Sequence, residues 1–463
     1  MIAIFRKILV LILLFFLVLL PVVGTGLTAL ALVKSAKSEA DISRLYEKSA
    51  LLLWWQPNLY EQAGLHALDD PQREISLLEI ASRNYGLSAA GELALGKAYL
   101  SVGKTNQAIQ IWEKMVLDGK VIPEVAQELA GIYRSSNKLE DEKRILAAWL
   151  KASANDPAAN ERLGTILAAE ATPHAVDLLK NAAERSGAAK QRTSRLIEIL
   201  EKDAADPGFE LTEIGQALAN LNEWQLAENA VTKAVSVKPD YPEAWAWLGV
   251  IRQHNQQPGA QAALEKAERL NPNSAGIHAL FGTYWLVENN PVNASEQYQR
   301  ATDLEPSNPA WWAGLGSAET KINLAKALTD YTNAVHLAPD QAIYWYDLAS
   351  FCVENSSYME DYGLKAALYA YALEPKNILY IEMLGRIQME LGNYPEAEVM
   401  LRKAMEMNQA QDLKPMLQFE MGLLYLRENQ MLKARNMLDE VILSDPNGVY
   451  GKQAQKLKER YLP

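Results

Sequence analysis

The residue types that most often carry chemistry are few in this sequence and lie far apart. Its five histidines are His66, His174, His254, His278 and His336. No two of them are close enough in the sequence to hold one metal ion from a single helix. The single cysteine, Cys352, has no partner for a disulfide or a thiolate zinc site within the chain. The sequence therefore predicts no metal site and no cofactor.

The common catalytic motifs are also missing. The chain has no glycine-rich phosphate loop after a strand, no G-x-S-x-G nucleophile elbow and no H-E-x-x-H zinc motif. Cys352 lies in the apolar segment Ala349–Val353, which favours a buried, inert thiol, and a reactive thiol is the alternative. We therefore predict that the protein is not an enzyme.

The composition limits the ligand classes further. The chain has 463 residues, of which 49% are hydrophobic, and this is enough apolar surface for a large packed core. The formal net charge is -12 at pH 7, whereas a nucleic-acid ligand would require clusters of Lys and Arg to neutralise its phosphates. The acidic balance predicts a protein that does not bind nucleic acid.

The N-terminal segment predicts membrane insertion. Residues 8–33 contain no charged side chain, and this run is longer than the roughly 20 apolar residues that a helix needs to cross a bilayer. Arg6 and Lys7 precede it, so the positive-inside tendency places residues 1–7 in the cytoplasm and the rest of the chain on the other side. We predict a single-pass transmembrane helix at 8–33. The alternative is a secretory signal cleaved near Ala29–Ala31, which would make the protein secreted.

An internal repeat dominates the rest of the chain. Small residues recur in short helical patterns at intervals of 33 to 37 residues, at Gly215, Gly249, Gly282, Gly316, Ala349, Gly385 and Gly422. Pairs of alanines seven residues apart follow most of them, for example Ala227 and Ala234, and a proline such as Pro239 comes five residues later. The pattern predicts helical hairpins whose two helices cross closely at a residue without a bulky side chain.

These segments resemble tetratricopeptide repeats, whose 34-residue helix-turn-helix follows the pattern W-x2-L-G-x2-Y, then alanines and a proline. Trp245–Gly249 and Trp312–Gly316 match the first part of this pattern, and weaker copies extend upstream through Leu95–Tyr99 to Ala63–Gly64. The resemblance implies an all-α fold, a right-handed superhelical solenoid of antiparallel helix pairs, preceded by the transmembrane helix. About ten to eleven repeats fit between residues 58 and 447.

Irregularities in the repeat indicate the domain organisation. We predict a helical connector at 34–57, a degenerate N-terminal array at 58–205, a regular array at 206–447 and a capping helix at 448–463. The segment 190–205 supplies one helix rather than a hairpin, and the Asp206–Gly208 segment that follows, with its central proline, indicates a hinge between the two arrays.

The resemblance also implies a binding surface. In tetratricopeptide-repeat proteins the first helices of the hairpins line a groove that holds a peptide segment or a helix of a partner protein. The matching positions in this chain are mostly small and uncharged, which favours a modestly apolar partner segment. They are Ala246, Val250, Gln253, Ala279, Thr283, Leu286, Ala313, Ser317, Thr320, Tyr346, Ser350, Glu382 and Arg386.

Eleven tryptophans raise the alternative of an aromatic platform for a glycan. Most of them fall at positions that the resemblance places in the buried seam, so we predict that they pack in the core. Trp247 and Trp311 fit this seam less well, and they are the predicted exposed aromatic residues.

These observations together predict a non-catalytic, membrane-anchored scaffold that mediates protein-protein interactions on the extracytoplasmic side. The alternative is an accessory or substrate-binding subunit of an envelope enzyme complex, with a glycan as the substrate. A homo-oligomer formed by stacking of repeat ends is a further open alternative.

Overall fold

A computed structural model describes residues 17, 19–202, 206–409 and 411–461 of the chain. These residues form helices and turns, with no β-strand among them. They divide into two compact units, and the boundary lies between Ala205 and Asp206. Within each unit consecutive helices pack against each other as antiparallel hairpins. The predicted all-α array of helix pairs is therefore confirmed, while its right-handed superhelical twist stays a prediction.

The first unit opens with α1 (19–32), a 3₁₀ turn (Val33–Ser35) and α2 (Glu39–Leu52). In its described part it then has four hairpins and the single helix α11 (Gly187–Glu201). The hairpins are α3 (Asn58–Leu65) with α4 (Pro71–Tyr85), α5 (Ala89–Ser101) with α6 (Thr105–Leu117), α7 (Pro123–Ser135) with α8 (Leu139–Ala152), and α9 (Pro157–Ala168) with α10 (His174–Arg185).

The described part of the second unit contains seven hairpins and the terminal helix α26 (Val449–Tyr461). A π-helical turn (Met359–Gly363) precedes the second helix of the fifth hairpin. The hairpins are α12 (Pro207–Asn220) with α13 (Trp224–Val237), α14 (Pro242–His254) with α15 (Ala260–Leu270), α16 (Ala275–Val287) with α17 (Pro291–Leu304), α18 (Pro309–Glu319) with α19 (Leu324–Leu337), α20 (Ala342–Glu354) with α21 (Leu364–Leu373), α22 (Ile378–Glu390) with α23 (Tyr394–Met407), and α24 (Lys414–Arg427) with α25 (Met431–Ser444).

The turn inside many hairpins depends on one residue in the left-handed backbone region. Asparagine, which adopts this conformation more easily than most residues, supplies it at several hairpins: Asn137 has φ 53°, Asn222 60°, Asn289 54° and Asn429 60°. Glycine takes the same place at Gly392, with φ 80°. The turn residues therefore end the first helix and reverse the chain within three residues.

The two helices of a hairpin meet where a bulky side chain of the second lies directly on a small residue of the first. At Gly249 of α14, an added Cβ atom would lie 2.5 Å from Cγ of Leu264 and 2.9 Å from the carbonyl oxygen of Ala260. The same contact recurs along the chain: Leu78 lies on Gly64, Trp112 on Gly96, Leu179 on Gly164, Val231 on Gly215, Tyr298 on Gly282, Tyr331 on Gly316, Leu401 on Gly385 and Leu438 on Gly422. The small residue thus accepts the side chain itself, which brings the two helices into close packing.

In four repeats of the second unit, a side chain four residues before the small residue connects the repeat to the preceding one. The indole Nε1 of Trp245 donates to the carbonyl oxygen of Pro239 at 2.9 Å, and Trp312 and Trp345 make the same bond to the proline six residues earlier, each at 2.8 Å. His278 takes this place in α16, with Nε2 at 2.8 Å from the carbonyl oxygen of Pro272. Because a carbonyl can only accept, that nitrogen carries the proton.

The predicted transmembrane helix at 8–33 falls partly outside the described residues, which exclude 8–16 and 18; the predicted cytoplasmic segment 1–7 lies outside them as well. Residues 19–32 are helical. Across all the described residues, we find no helix that combines the length and the apolar character needed to cross a bilayer. The transmembrane prediction is therefore not supported by the described part of the chain.

One side of α1 packs against the first unit. Val23 and Leu30 contact an apolar cluster that includes the fully buried Leu53, which follows α2. The backbones also approach closely, because the hydroxyl of Ser49 donates to the carbonyl oxygen of Gly26 at 3.2 Å. The second half of the apolar N-terminal segment therefore covers the start of the repeat array.

We expect the substitution Gly249→Ala to lower the free energy of unfolding of the second unit by about 1–3 kcal/mol, because its methyl group would meet a backbone oxygen that cannot rotate aside. Gly276→Ala is the matched control, since its added Cβ would have only the Ser274 hydroxyl as a neighbour, at 3.9 Å. Alanine should be neutral there, or stabilising by up to about 1 kcal/mol. Chemical denaturation followed by tryptophan fluorescence measures both, and equal effects would contradict the close crossing.

A second pair of glycines tests the packing of α1. An alanine Cβ at position 26 would lie 2.8 Å from Cγ of Leu53 and 3.1 Å from Cβ of Leu52, whereas at position 24 it would have no neighbour within 4 Å. We expect Gly26→Ala to destabilise the first unit by about 1–3 kcal/mol and to speed proteolysis at the 53–57 loop. Gly24→Ala should leave both quantities near the wild-type values. Identical digestion rates for the two variants would show that α1 does not pack against α2.

Candidate partner-binding site

The first helices of the second unit lie side by side and form one continuous surface. Successive first helices contact each other from α12 through α24. We name the surface that α12, α14, α16, α18, α20, α22 and α24 form the first-helix face. All thirteen residues predicted to line a groove lie on these helices or, for Thr320, at the C-terminal cap of α18.

The first part of this face is only partly accessible. Ala246 and Ala279 are buried, with exposures of 0% and 4%, so they support the packing between helices and do not line an open groove. Val250, Leu286 and Ala313 are half-buried and Thr283 is exposed. These residues leave a shallow and largely uncharged surface on α14, α16 and α18.

Two polar side chains of this part are already engaged within the unit. The amide nitrogen of Gln253 donates to the backbone oxygen of Tyr284 and to Oε1 of Glu288, both at 2.9 Å. The hydroxyl of Thr283 lies 2.8 Å from the hydroxyl of Tyr298. Gln253 therefore bridges two first helices, and Thr283 joins a first helix to its second helix.

A cavity opens on the face between α18 and α20. Three of the predicted groove residues line it: Ser317, Thr320 and Ser350. Its volume is about 260 Å³, and the other lining residues are Lys321, Tyr331, Asp347, Phe351 and Glu354. The structure thus brings together residues of neighbouring repeats that lie about 30 positions apart in the sequence.

The lining of this cavity is rich in hydroxyl and carboxylate groups. Burial raises the pKa of Asp347 to about 6. The hydroxyl of Ser350 donates to Oε1 of Glu354 at 3.1 Å, so one oxygen of that carboxylate already has a partner. Burial also raises the pKa of the Tyr331 phenol to about 12, which keeps this group protonated and able to donate.

The last part of the face is charged, and it contains Glu382 and Arg386, the two charged residues of the predicted lining. Glu382 and Glu420 are buried, with exposures of 2% and 6%, and the guanidinium Nε of Arg386 lies 3.6 Å from a carboxylate oxygen of each. Burial and then the charge of Glu420 raise the pKa of Glu382 to about 8, against the opposing effect of Arg386. Glu382 is therefore a buried member of an ion cluster, while Arg386 and Tyr346 remain half-buried at the surface.

The predicted exposed aromatic residues are less accessible than we expected. Trp247 and Trp311 are both half-buried. Trp311 packs against the apolar core beneath α16 and α18, and its indole nitrogen donates to Oε2 of Glu305 at 2.9 Å. Among the described tryptophans, the exposed ones are Trp54 and Trp55, at 69% and 46%. They lie in the loop after α2.

Other residues that could carry chemistry are placed as follows. Cys352 is fully buried, and burial raises the pKa of its thiol to about 12, so the thiolate is suppressed near neutral pH. Within the ranges that the structure describes, no group of three His, Cys, Asp or Glu side chains is arranged to hold a metal ion.

The groove predicted from the sequence lacks five residues of the cavity, namely Lys321, Tyr331, Asp347, Phe351 and Glu354. Asp347 and Glu354 lie three positions before and four after Ser350, so helical spacing alone puts them on the same side of α20. That spacing is a signal we could have used. Tyr331 gives no such signal, because it comes from the second helix α19 and reaches the cavity by lying on Gly316.

Comparison with known proteins identifies the repeats. Models of the tetratricopeptide repeat family match residues 212–275 and 380–411, so the second unit contains tetratricopeptide repeats. The human protein O-mannosyl-transferase TMTC3 is 23% identical in an alignment of 257 residues that covers 51% of this chain and 28% of that protein. The type IV pilus assembly protein PilF of Pseudomonas aeruginosa is 23% identical over 192 residues, which are 42% of this chain and 62% of PilF.

The chain thus spans less than two thirds of the length of either relative. Among solved structures, that of yeast Tom70 aligns with 96% of this chain and 95% of its own, at 16% sequence identity and a TM-score of 0.43.

The buried ion cluster predicts a specific dependence of stability on pH. Because the folded-state pKa of Glu382 is raised from 4.5 to about 8, the native state holds a proton that the unfolded state releases, and stability falls as pH rises between these values. We expect Glu382→Gln to remove this loss of stability at high pH. The melting temperature of the variant minus that of the wild type should therefore be larger at pH 9 than at pH 5. Thermal unfolding at both pH values measures it.

Glu398→Gln is the control of opposite sign. A hydrogen bond from Arg402 lowers the pKa of Glu398, so this carboxylate contributes stability above its unfolded pKa and loses it as pH falls. The Gln variant should therefore be less stable than wild type at pH 7 and above. A pH dependence of the same sign in both variants would contradict the assignment of Glu382.

Proposed function

We propose that this protein is a non-catalytic tetratricopeptide-repeat scaffold that binds a segment of a partner protein on the first-helix face of its second unit. The observation that carries the proposal is the cavity between α18 and α20, because Ser317, Thr320 and Ser350, which the sequence predicts as partner-binding positions, line it together. The exposed Thr283 on α16 extends the accessible surface toward the first repeats of the unit. An extended segment or a helix lying across successive first helices would contact both places.

We further propose that the apolar segment 8–33 holds this scaffold at a membrane, with the repeat array on the extracytoplasmic side. The uncharged run and the basic residues Arg6 and Lys7 before it support this arrangement. The exposed Leu20, Leu27 and Leu32 of α1, at 66%, 50% and 55%, add apolar surface on the side of the helix that does not pack against α2.

The proposal includes no catalytic step. The similarity to a mannosyl-transferase covers 28% of that protein, and its activity is not carried over to this chain. The alternative of a glycan-binding accessory subunit has less aromatic surface to use, because Trp247 and Trp311 are half-buried. The binding of a protein segment is therefore the function that the accessible residues of the first-helix face support best.

The test places bulk and charge on the first-helix face of the full chain in its native membrane. A photo-crosslinking amino acid at position 317 should capture a defined partner. The triple variant Val250→Arg, Thr283→Arg, Ser317→Arg carries the crosslinker at position 350 instead. We expect it to reduce partner recovery by about tenfold or more. The long charged side chains would prevent close approach of the partner and would be buried without ion-pair partners.

The control carries the same three charges elsewhere on the second unit. Ser236, Gln261 and Thr329 are exposed and lie on the second helices α13, α15 and α19. The variant Ser236→Arg, Gln261→Arg, Thr329→Arg should recover the partner at the wild-type level. If the control loses the partner and the first-helix variant keeps it, the binding surface lies on the second helices and the proposal is wrong.

A further inference from the structure

We propose that the cavity between α18 and α20 binds the positively charged side chain of a lysine or arginine carried by the partner segment. This inference rests on the proposed function, because it assigns a chemical class to what the first-helix face recognises. The residues that carry it are Asp347 and Glu354 on α20, Tyr331 on α19, and the hydroxyl groups of Ser317 and Thr320.

The size of the cavity fits one side chain. Its volume of about 260 Å³ is below the roughly 300–1,000 Å³ of pockets that hold drug-sized ligands. The cavity is open to the first-helix face, since Ser317 is exposed and Ser350 and Thr320 are half-buried. A peptide that lies along the face can therefore insert a single long side chain between α18 and α20.

Among the described residues, no lysine or arginine forms a salt bridge with Asp347 or Glu354, although the charges of Arg386 and Glu354 attract each other at longer range. Burial is the cause that raises the pKa of Asp347, and no neighbouring positive charge lowers it. Glu354 accepts a neutral hydrogen bond from Ser350. Asp347 is half-buried, and a carboxylate taken partly out of water without a cation is costly, so a bound cation would offset that cost; Glu354 is exposed and adds negative charge at the opening of the cavity.

The basic side chains nearby are engaged elsewhere. Lys321 is at the rim, but its Nζ donates to Oδ1 of Asn289 at 2.6 Å, in the turn of the preceding hairpin. Arg386 of the neighbouring α22 lies between the carboxylates of Glu382 and Glu420, at 3.6 Å from each. Neither forms a salt bridge to the carboxylates of the cavity, so the site keeps a negative charge that an incoming side chain can neutralise.

The remaining polar groups match the hydrogen-bonding needs of an ammonium or guanidinium group. Both of these cations are donors only, with three N–H groups in lysine and five in arginine. The cavity offers the carboxylate oxygens of Asp347 and Glu354 and the hydroxyl oxygens of Ser317, Thr320 and Tyr331 as acceptors. The ring of Phe351 is also part of the lining and can pack against the methylene groups of the inserted side chain.

The inference can be tested without the partner, on the full chain in detergent micelles. The probe is Nα-acetyl-L-arginine N-methylamide. The control compound is Nα-acetyl-L-citrulline N-methylamide, which has nearly the same shape but no charge. Saturation-transfer difference NMR gives the dissociation constant of each compound. We expect the arginine probe to bind and the citrulline probe to bind at least about tenfold more weakly. The double variant Asp347→Asn, Glu354→Gln should weaken the arginine probe by about tenfold or more, because it removes both charges.

A second variant changes affinity in the opposite direction, which separates the charge of the site from damage to the fold. Lys321→Gln removes a positive charge from the rim of the cavity, and we expect it to strengthen binding of the arginine probe by about twofold or more. Equal affinity for the arginine and citrulline probes, or an unchanged constant in the Asp347→Asn, Glu354→Gln variant, would overturn the inference. Recovery of a partner by crosslinking at position 317 would then still stand, because that experiment does not depend on a cationic side chain.

Discussion

The contact between a small residue on the first helix and a bulky side chain on the second is the interaction on which the rest of this structure depends. Where glycine removes the side chain, as at Gly249 and Gly316, the backbone of one helix accepts a leucine or tyrosine of the other directly. Each hairpin then has a narrow range of crossing geometries. Repeating hairpins of one geometry stack in one way, so their first helices lie side by side.

The same contact determines which residues reach the first-helix face. The small residue lies against the second helix, and the residue after it lies one position further round the first helix, at the edge of the first-helix face: Ser317 follows Gly316, Thr283 follows Gly282 and Arg386 follows Gly385. A side chain at this position can vary without disturbing the crossing. The face can therefore carry hydroxyl groups in one repeat and an ion cluster in another, while the hairpins beneath it stay alike.

The first unit shows how the array begins. A stack of hairpins leaves an uncovered apolar side at its end, and here α1 and α2 cover it, with Gly26 allowing α1 to approach Ser49 and Leu53. Leucines on the remaining side of α1 stay exposed. Helix α1 thus has two physically different sides: one packs against the start of the repeat array, and the other exposes apolar side chains.

The sequence by itself determined the helical hairpins, their period and the small residues at their crossings, because these follow from local spacing of residue types along a helix. It also placed Ser317, Thr320 and Ser350 on one surface, since the repeat relates their positions. Only the tertiary structure decided that Ala246 and Glu382 are buried, that Trp311 packs against the apolar core formed by α16, α17 and α18, and that Tyr331 completes the cavity. Burial and charge pairing depend on residues distant in the sequence that packing brings within a few ångströms, and no spacing rule along the chain contains that information.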